Sequence, residues 1–127
     1  MAQTQPDVEL RIPADSAYLS VLRTATAGLA ARLDFTLDDI EDLRIAVDEA
    51  CAMVLPQARP DSDLNCAFDL GDHSLTVSVS AHCESPRQPS REGFAWTVLA
   101  ALTSSLSADV DGDLLTVRLS RATVDLG

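Results

Sequence analysis

Val8, Leu10 and Ile12 alternate with polar residues up to Pro13, the period of a strand with one buried face. Beyond it the period changes. Tyr18, Val21, Leu22, Ala25, Leu29 and Leu33 recur at helical spacing, with Arg23 beside the stripe, which predicts a first helix capped at Asp15 and ending near Asp34. Thr36 followed three residues later by Asp39 forms a capping-box pattern, and Asp38, Asp39, Glu41 and Asp42 suit the positive end of a helix dipole. Leu37, Ile40, Leu43, Val47, Ala50 and Val54 then make the apolar stripe of a second helix. Pro56 and Pro60 stop it, because a proline ring clashes with the preceding helical turn.

Alternation returns at Leu64, Cys66, Phe68 and Leu70, the pair Gly71-Asp72 turns the chain, and Leu75, Val77, Val79 and Ala81 alternate again. That pattern predicts a hairpin. The polar, proline-bearing stretch HCESPRQPSRE reads as a loop, and the apolar run from Phe94 through Leu106 as a third helix. Val110, the turn Asp111-Gly112-Asp113 and the alternating Leu115, Val117 and Leu119 predict a closing hairpin. Strand, two helices, hairpin, helix, hairpin is the order of a two-layer α/β sandwich, with three helices covering one face of a mixed, mainly antiparallel sheet. At 127 residues the chain has the size of one domain, residues 1–127, with residues 1–7 expected to be flexible.

Composition narrows the function more than the fold. A formal charge of -11 opposes nonspecific binding to nucleic acid or an anionic membrane and suits a basic protein partner. All nine cationic side chains are arginines, which favours bidentate contacts with carboxylates. No apolar run reaches the ~20 residues of a membrane span, and the start MAQTQPDVEL lacks the pattern of a secretory leader, so a cytoplasmic location is expected. Cys51, Cys66 and Cys83 have no CxxC spacing. Free thiols are therefore expected, Cys51 and Cys66 in the core and Cys83 in a polar loop where it could respond to oxidants. His73 and His82 have no acidic or nucleophilic constellation at a recognisable spacing and are read as surface residues.

The segment EDLRIAVDEAC, preceded by a strand and a helix of this length, resembles the RsbW-like anti-sigma factors, serine kinases of the GHKL (Bergerat) ATPase superfamily. A second match is GFAWTVLAALTSSLSADV, and the segments AVDE and FAWTVLAAL look closest to actinobacterial members. The resemblance implies a protein that sequesters an alternative sigma factor, regulates transcription, forms a homodimer and has a STAS-type anti-anti-sigma partner. Three motifs carry the family's ATP chemistry. In the first, a helix places a Glu base four residues before an Asn that helps to hold magnesium. Glu49 is present here, but Met53 occupies the Asn position, and a thioether is too soft for that ion. In the second, an Asp-x-Gly-x-Gly element recognises adenine; Ser80 and Ala81 stand near the expected Asp, and no glycine occurs from Asp72 through Glu92. In the third, a Gly-x-Gly segment opens the last helix and cradles phosphate. It reads Gly93-Phe94-Ala95-Trp96 here, so Gly93 and Ala95 become degenerate nucleotide positions and Phe94 and Trp96 are expected to fill the pocket.

With three motifs altered, the expected function is an anti-sigma factor that works by binding, without kinase activity, ATP or magnesium, and with Glu49 a vestigial base. On the resemblance, Arg23, Ser20 and Ala27 of the first helix contact the partner. One alternative is an active serine kinase for a STAS-type partner, using ATP and magnesium, with Asp42 as a substitute ligand. The other is a ligand sensor with Met53, Phe94 and Trp96 lining an apolar pocket.

Overall fold

The computed structural model describes residues 5–123. Its elements are β1 (Val8–Pro13), α1 (Leu19–Arg32), α2 (Leu37–Val54), β2 (Asp63–Gly71), β3 (Ser74–His82), α3 (Phe94–Leu102), β4 (Ser105–Asp111) and β5 (Leu114–Ala122). The strands form one five-stranded sheet in the order β1-β2-β3-β5-β4. Each neighbouring pair is antiparallel. The excursion through α3 and β4 lets β5 pair with β3, so the chain closes into the α/β sandwich of the GHKL (Bergerat) ATPase fold. Its three helices lie against the sheet.

Alternation decides which sheet face is covered. Leu64, Cys66 and Phe68 of β2, Leu75, Val77, Val79 and Ala81 of β3, and Leu115, Val117 and Leu119 of β5 are buried, while the residues between them, among them Thr76, Ser80, Thr116 and Arg118, face the other way. Helix α2 is the central element and packs against α1, α3, β3 and β5. Its buried positions are Leu43, Ala46, Val47, Ala50, Cys51 and Val54, and the two alanines let the neighbouring layers approach closely. Burying a leucine or phenylalanine in this seam contributes ~2 kcal/mol each.

Local chemistry sets the helix ends. Asp15 caps a short 3-10 turn, Ser16–Tyr18, ahead of α1. At its far end Asp34 adopts a left-handed φ of 62°, its amide donates to the Ala31 carbonyl, and the Phe35 amide donates to that of Ala30. This is a Schellman closure with Asp in place of the usual glycine, and it turns Phe35 into the core. The Thr36 hydroxyl accepts from the Asp39 amide at 3.1 Å and donates to the Asp39 carboxylate at 2.9 Å, which starts α2 where the capping pattern places it.

Three expectations are corrected. Helix α3 stops at Leu102, and Leu106 belongs to β4; Thr103 is already extended and its hydroxyl donates to the Leu99 carbonyl, after which SLSADVD follows the period of a strand. Leu37 is 85% exposed, because the first residue after the cap lies at the outer corner of α2. Tyr18 and Val21 are exposed, since the buried line on α1 runs through Leu22, Thr26 and Ala30; the Thr26 hydroxyl enters it by donating to the Leu22 carbonyl. Residues 1–4 of the segment expected to be flexible lie outside the described residues. The Asp7 carboxylate accepts from the Leu70 amide at 2.8 Å.

Candidate functional site

Adjacent in sequence, Asp48 and Glu49 point about 100° apart around α2. Asp48 turns toward α1 and accepts from the Arg23 guanidinium at 2.8 Å. Glu49 is half-buried and has no ion pair or hydrogen-bond partner among the described residues. One turn along, Met53 lines a cavity of about 290 Å³ with Gln57, Pro89, Gly93, Phe94 and Trp96. The i, i+4 spacing therefore brings Glu49 and the cavity to the same side of α2.

The opposite wall is the start of α3. Gly93 is its N-cap and offers no side-chain cap, so the first amides of the helix point out as free donors, where the helix dipole favours an anion. Gly93 has φ -75°, and an added Cβ would meet the Ser90 carbonyl oxygen at an ordinary 3.5 Å. The backbone at this position does not require glycine. Arg91 lies over the Trp96 ring at 4.7 Å from its centroid and adds a positive charge beside these amides. Phe94 does not fill the cavity, as its neighbours in sequence suggested; it is 83% exposed at the rim, while Trp96 is the buried one.

At the end of β3, Ala81 is buried and Ser80 lies on the uncovered sheet face, so neither places a carboxylate where the family's Asp would stand. The exposed Glu84 instead lines a second cavity of about 370 Å³ with Arg59, Ser85, Arg87 and Gln57. Asp42, the substitute magnesium ligand of one alternative, is held 3.1 Å from Arg121 at the other end of α2. Cys83 is not an exposed thiol: it is 1% exposed, its segment bridges to Ala58, and burial pushes its thiol up.

A constellation missed in the sequence joins His82, Asp113 and Arg59. His82 Nδ1 lies 2.9 Å from one Asp113 carboxylate oxygen, and Arg59 Nη2 lies 3.3 Å from the other. The hydrogen bond to His82, followed by the Arg59 charge, holds the Asp113 carboxyl below its ordinary value. The contact depends on the pairing of two strands far apart in sequence: His82 pairs with Leu114 across β3 and β5, which brings the preceding residue, Asp113, alongside the imidazole.

Of the first-helix residues, Arg23 and Ala27 border a shallow hollow with Thr24, Gly28 and Arg44. Ser20 is exposed but does not line it. Arg23 spends its Nε on Asp48, which fixes the guanidinium and leaves its Nη groups on the exposed side.

A five-stranded antiparallel sheet under three helices, with a cleft between α2 and the start of α3, defines an ATPase-type domain. The chain belongs to the histidine kinase-like ATPase domain family, which it matches over residues 12–121. It is 33% identical over 105 residues to the anti-sigma-F factor RsbW of Mycobacterium tuberculosis (strain H37Rv), covering 83% of this chain and 62% of that protein. It is 35% identical over 75 residues to the serine-protein kinase RsbW of Bacillus thuringiensis (strain Al Hakam), covering 58% of this chain and 47% of the relative. The same figures hold for the serine-protein kinase RsbW of Bacillus cereus (strain AH820). The chain thus spans about half to three-fifths of the length of these relatives.

These relatives correct the expectation of a binding protein without enzymatic activity, because similar chains bear the name of serine-protein kinases. The physical reason lies in the third motif. In that motif backbone N–H groups are the phosphate donors, and Ala95 in place of the second glycine leaves such donors present at the uncapped start of α3. Among the described residues no helix is long and apolar enough to cross a membrane.

Proposed function

We propose that this protein is an RsbW-type anti-sigma factor that is also an ATP-dependent serine kinase acting on a STAS-type anti-anti-sigma partner. The observation that carries the reading is the unpaired, half-buried Glu49, one turn from a cavity wall whose other side is the uncapped start of α3. In this reading the α3 amides and Arg91 hold the phosphates of ATP, at Gly93 and Ala95. Glu49 takes the proton of the partner's serine hydroxyl as the terminal phosphoryl group moves to that oxygen and ADP leaves. The phosphate chain fits this donor set. Magnesium held at position 53 does not, because the Met53 thioether is a poor ligand for it, and no step is assigned to the ion.

Sigma binding is assigned to α1, with Ser20, Arg23 and Ala27 on the partner side. The charge of -11 speeds encounter with the basic surface of a sigma factor. The protein acts in the cytoplasm as a homodimer, without direct contact with nucleic acid or membrane.

Purified protein, γ-labelled ATP and a STAS-type partner test the reading. Phosphoserine is expected on the partner, and Glu49→Gln is expected to lower the rate by at least ~100-fold with no change in thermal midpoint. Absence of transfer by the wild type, or full transfer by Glu49→Gln, overturns it. Sigma capture is read separately with Arg23→Glu, which is expected to weaken it.

A further inference from the structure

The segment between β3 and α3, residues 84–92, crosses the end of α2 as a strap. One side chain supplies its hydrogen bonds to the rest of the domain, while the Arg91 guanidinium rests over the Trp96 ring near its far end. Gln57 Nε2 donates to the Arg87 carbonyl at 3.0 Å, and the Arg87 amide donates to Gln57 Oε1 at 2.8 Å. A carboxamide matched to both backbone groups of one residue imitates a strand pairing, because its N–H and C=O sit on separate atoms side by side as in a peptide group.

Gln57 lines both cavities. On one side lies the hollow bordered by Met53 and Trp96, about 290 Å³; on the other lies the hollow bordered by Arg59 and Glu84, about 370 Å³. Each is near the lower limit for a small-molecule site. The fastened pair stands between them as a partition. Pro86 and Pro89 lie on either side of Arg87 and restrict the strap's backbone, so releasing the hydrogen-bonded fastening at Arg87 frees the strap as a unit, with only the solvent-side stacking of Arg91 on Trp96 left to hold it.

We propose that Gln57 is a latch. Closed, it divides one cleft into two small cavities; open, it joins them, and a ligand long enough to occupy both, such as a nucleoside triphosphate, enters only through the open form. The choice of ATP rests on the kinase reading, whereas the latch itself does not.

Trypsin tests it on the full chain, because the strap carries two cleavable bonds, Arg87–Gln88 and Arg91–Glu92. Gln57 protects the first directly, through the scissile carbonyl, and the second only if the strap moves as a unit. Two lost hydrogen bonds should raise the open population, and with it cleavage at both bonds in Gln57→Ala, by roughly 5- to 30-fold. Cleavage after Arg23 and Arg118 monitors global unfolding and should not change. Gln57→Glu, which keeps the acceptor and loses the donor, should resemble the alanine variant. Acceleration at Arg87 alone, or at neither bond, overturns the latch.

A second readout is the rate at which ATP alters Trp96 fluorescence, expected to rise in Gln57→Ala by the same factor as cleavage. An ATP signal with an unchanged rate overturns the gating role. Faster cleavage at both bonds with no ATP signal from either protein upholds the latch and overturns the nucleotide assignment.

Discussion

The two ends of α2 are held by different kinds of contact. At the first turn, Arg121 of β5 reaches Asp39 at 2.8 Å and Asp42 at 3.1 Å and donates to the Leu102 carbonyl at the end of α3 at 2.7 Å. Arg121 and Asp39 are only 19% and 21% exposed. One guanidinium thus joins sheet, central helix and last helix in a partly dehydrated place, where charge-assisted bonds are strong. Just beyond the last turn, the fastenings are Gln57 on the Arg87 backbone and Arg59 on Asp113, all near water and each worth little. The contrast assigns rigidity to one end and exchange to the other, and the cleft lies at the exchangeable end.

The largest effect should come from breaking the rigid end. Arg121→Ala leaves two carboxylates and a helix carbonyl without their partner and should lower stability by about 3 kcal/mol, read as a fall in the urea midpoint. Asp39→Asn should lower it less, by about 1 to 2 kcal/mol at neutral pH, and the loss should depend on acid. Arg121 holds the Asp39 carboxyl below its ordinary 3.8, so its contribution is complete above that value and disappears as pH falls through the lower folded value. The gap between wild type and Asp39→Asn should therefore close below pH 3.8 and remain constant from pH 5 to 7. At the exchangeable end, Asp113→Asn should leave the urea midpoint nearly where it is, because both its partners are exposed. Smallest of all, Phe94→Ser should leave stability unchanged, since the ring is already in water. A drop as large as that of Asp39→Asn in either of the last two would erase the distinction between the ends.

Much of this architecture is legible in the chain because one rule, the period of apolar positions, governs each element separately. Leu64, Cys66 and Phe68 could be assigned to one face without knowledge of their partners, and the Thr36 cap needs only a residue three positions away. The rule fails at edges. Leu37 and Phe94 are apolar residues at the first helical position of α2 and α3, where a side chain escapes the layer that buries the rest of its stripe. The site was harder to read because its contacts join distant segments: Arg121 with Asp39, Gln57 with Arg87, His82 with Asp113. The third motif misleads in a different way: a missing glycine suggests a missing phosphate donor, although the N–H at that position belongs to the peptide group and does not depend on the side chain.

The two thiols at the centre of the molecule give the core a gauge of its own. Cys51 on α2 and Cys66 on β2 are buried, and burial pushes the Cys66 thiol up to about 12 and that of Cys51 higher still. Neither forms a thiolate at neutral pH while the layers are closed. A thiol reagent in solution will therefore react with them only when α2 lifts from the sheet, and once Cys83, which borders the strap, is replaced by serine, the slow rate of that colour change measures how often the whole domain opens.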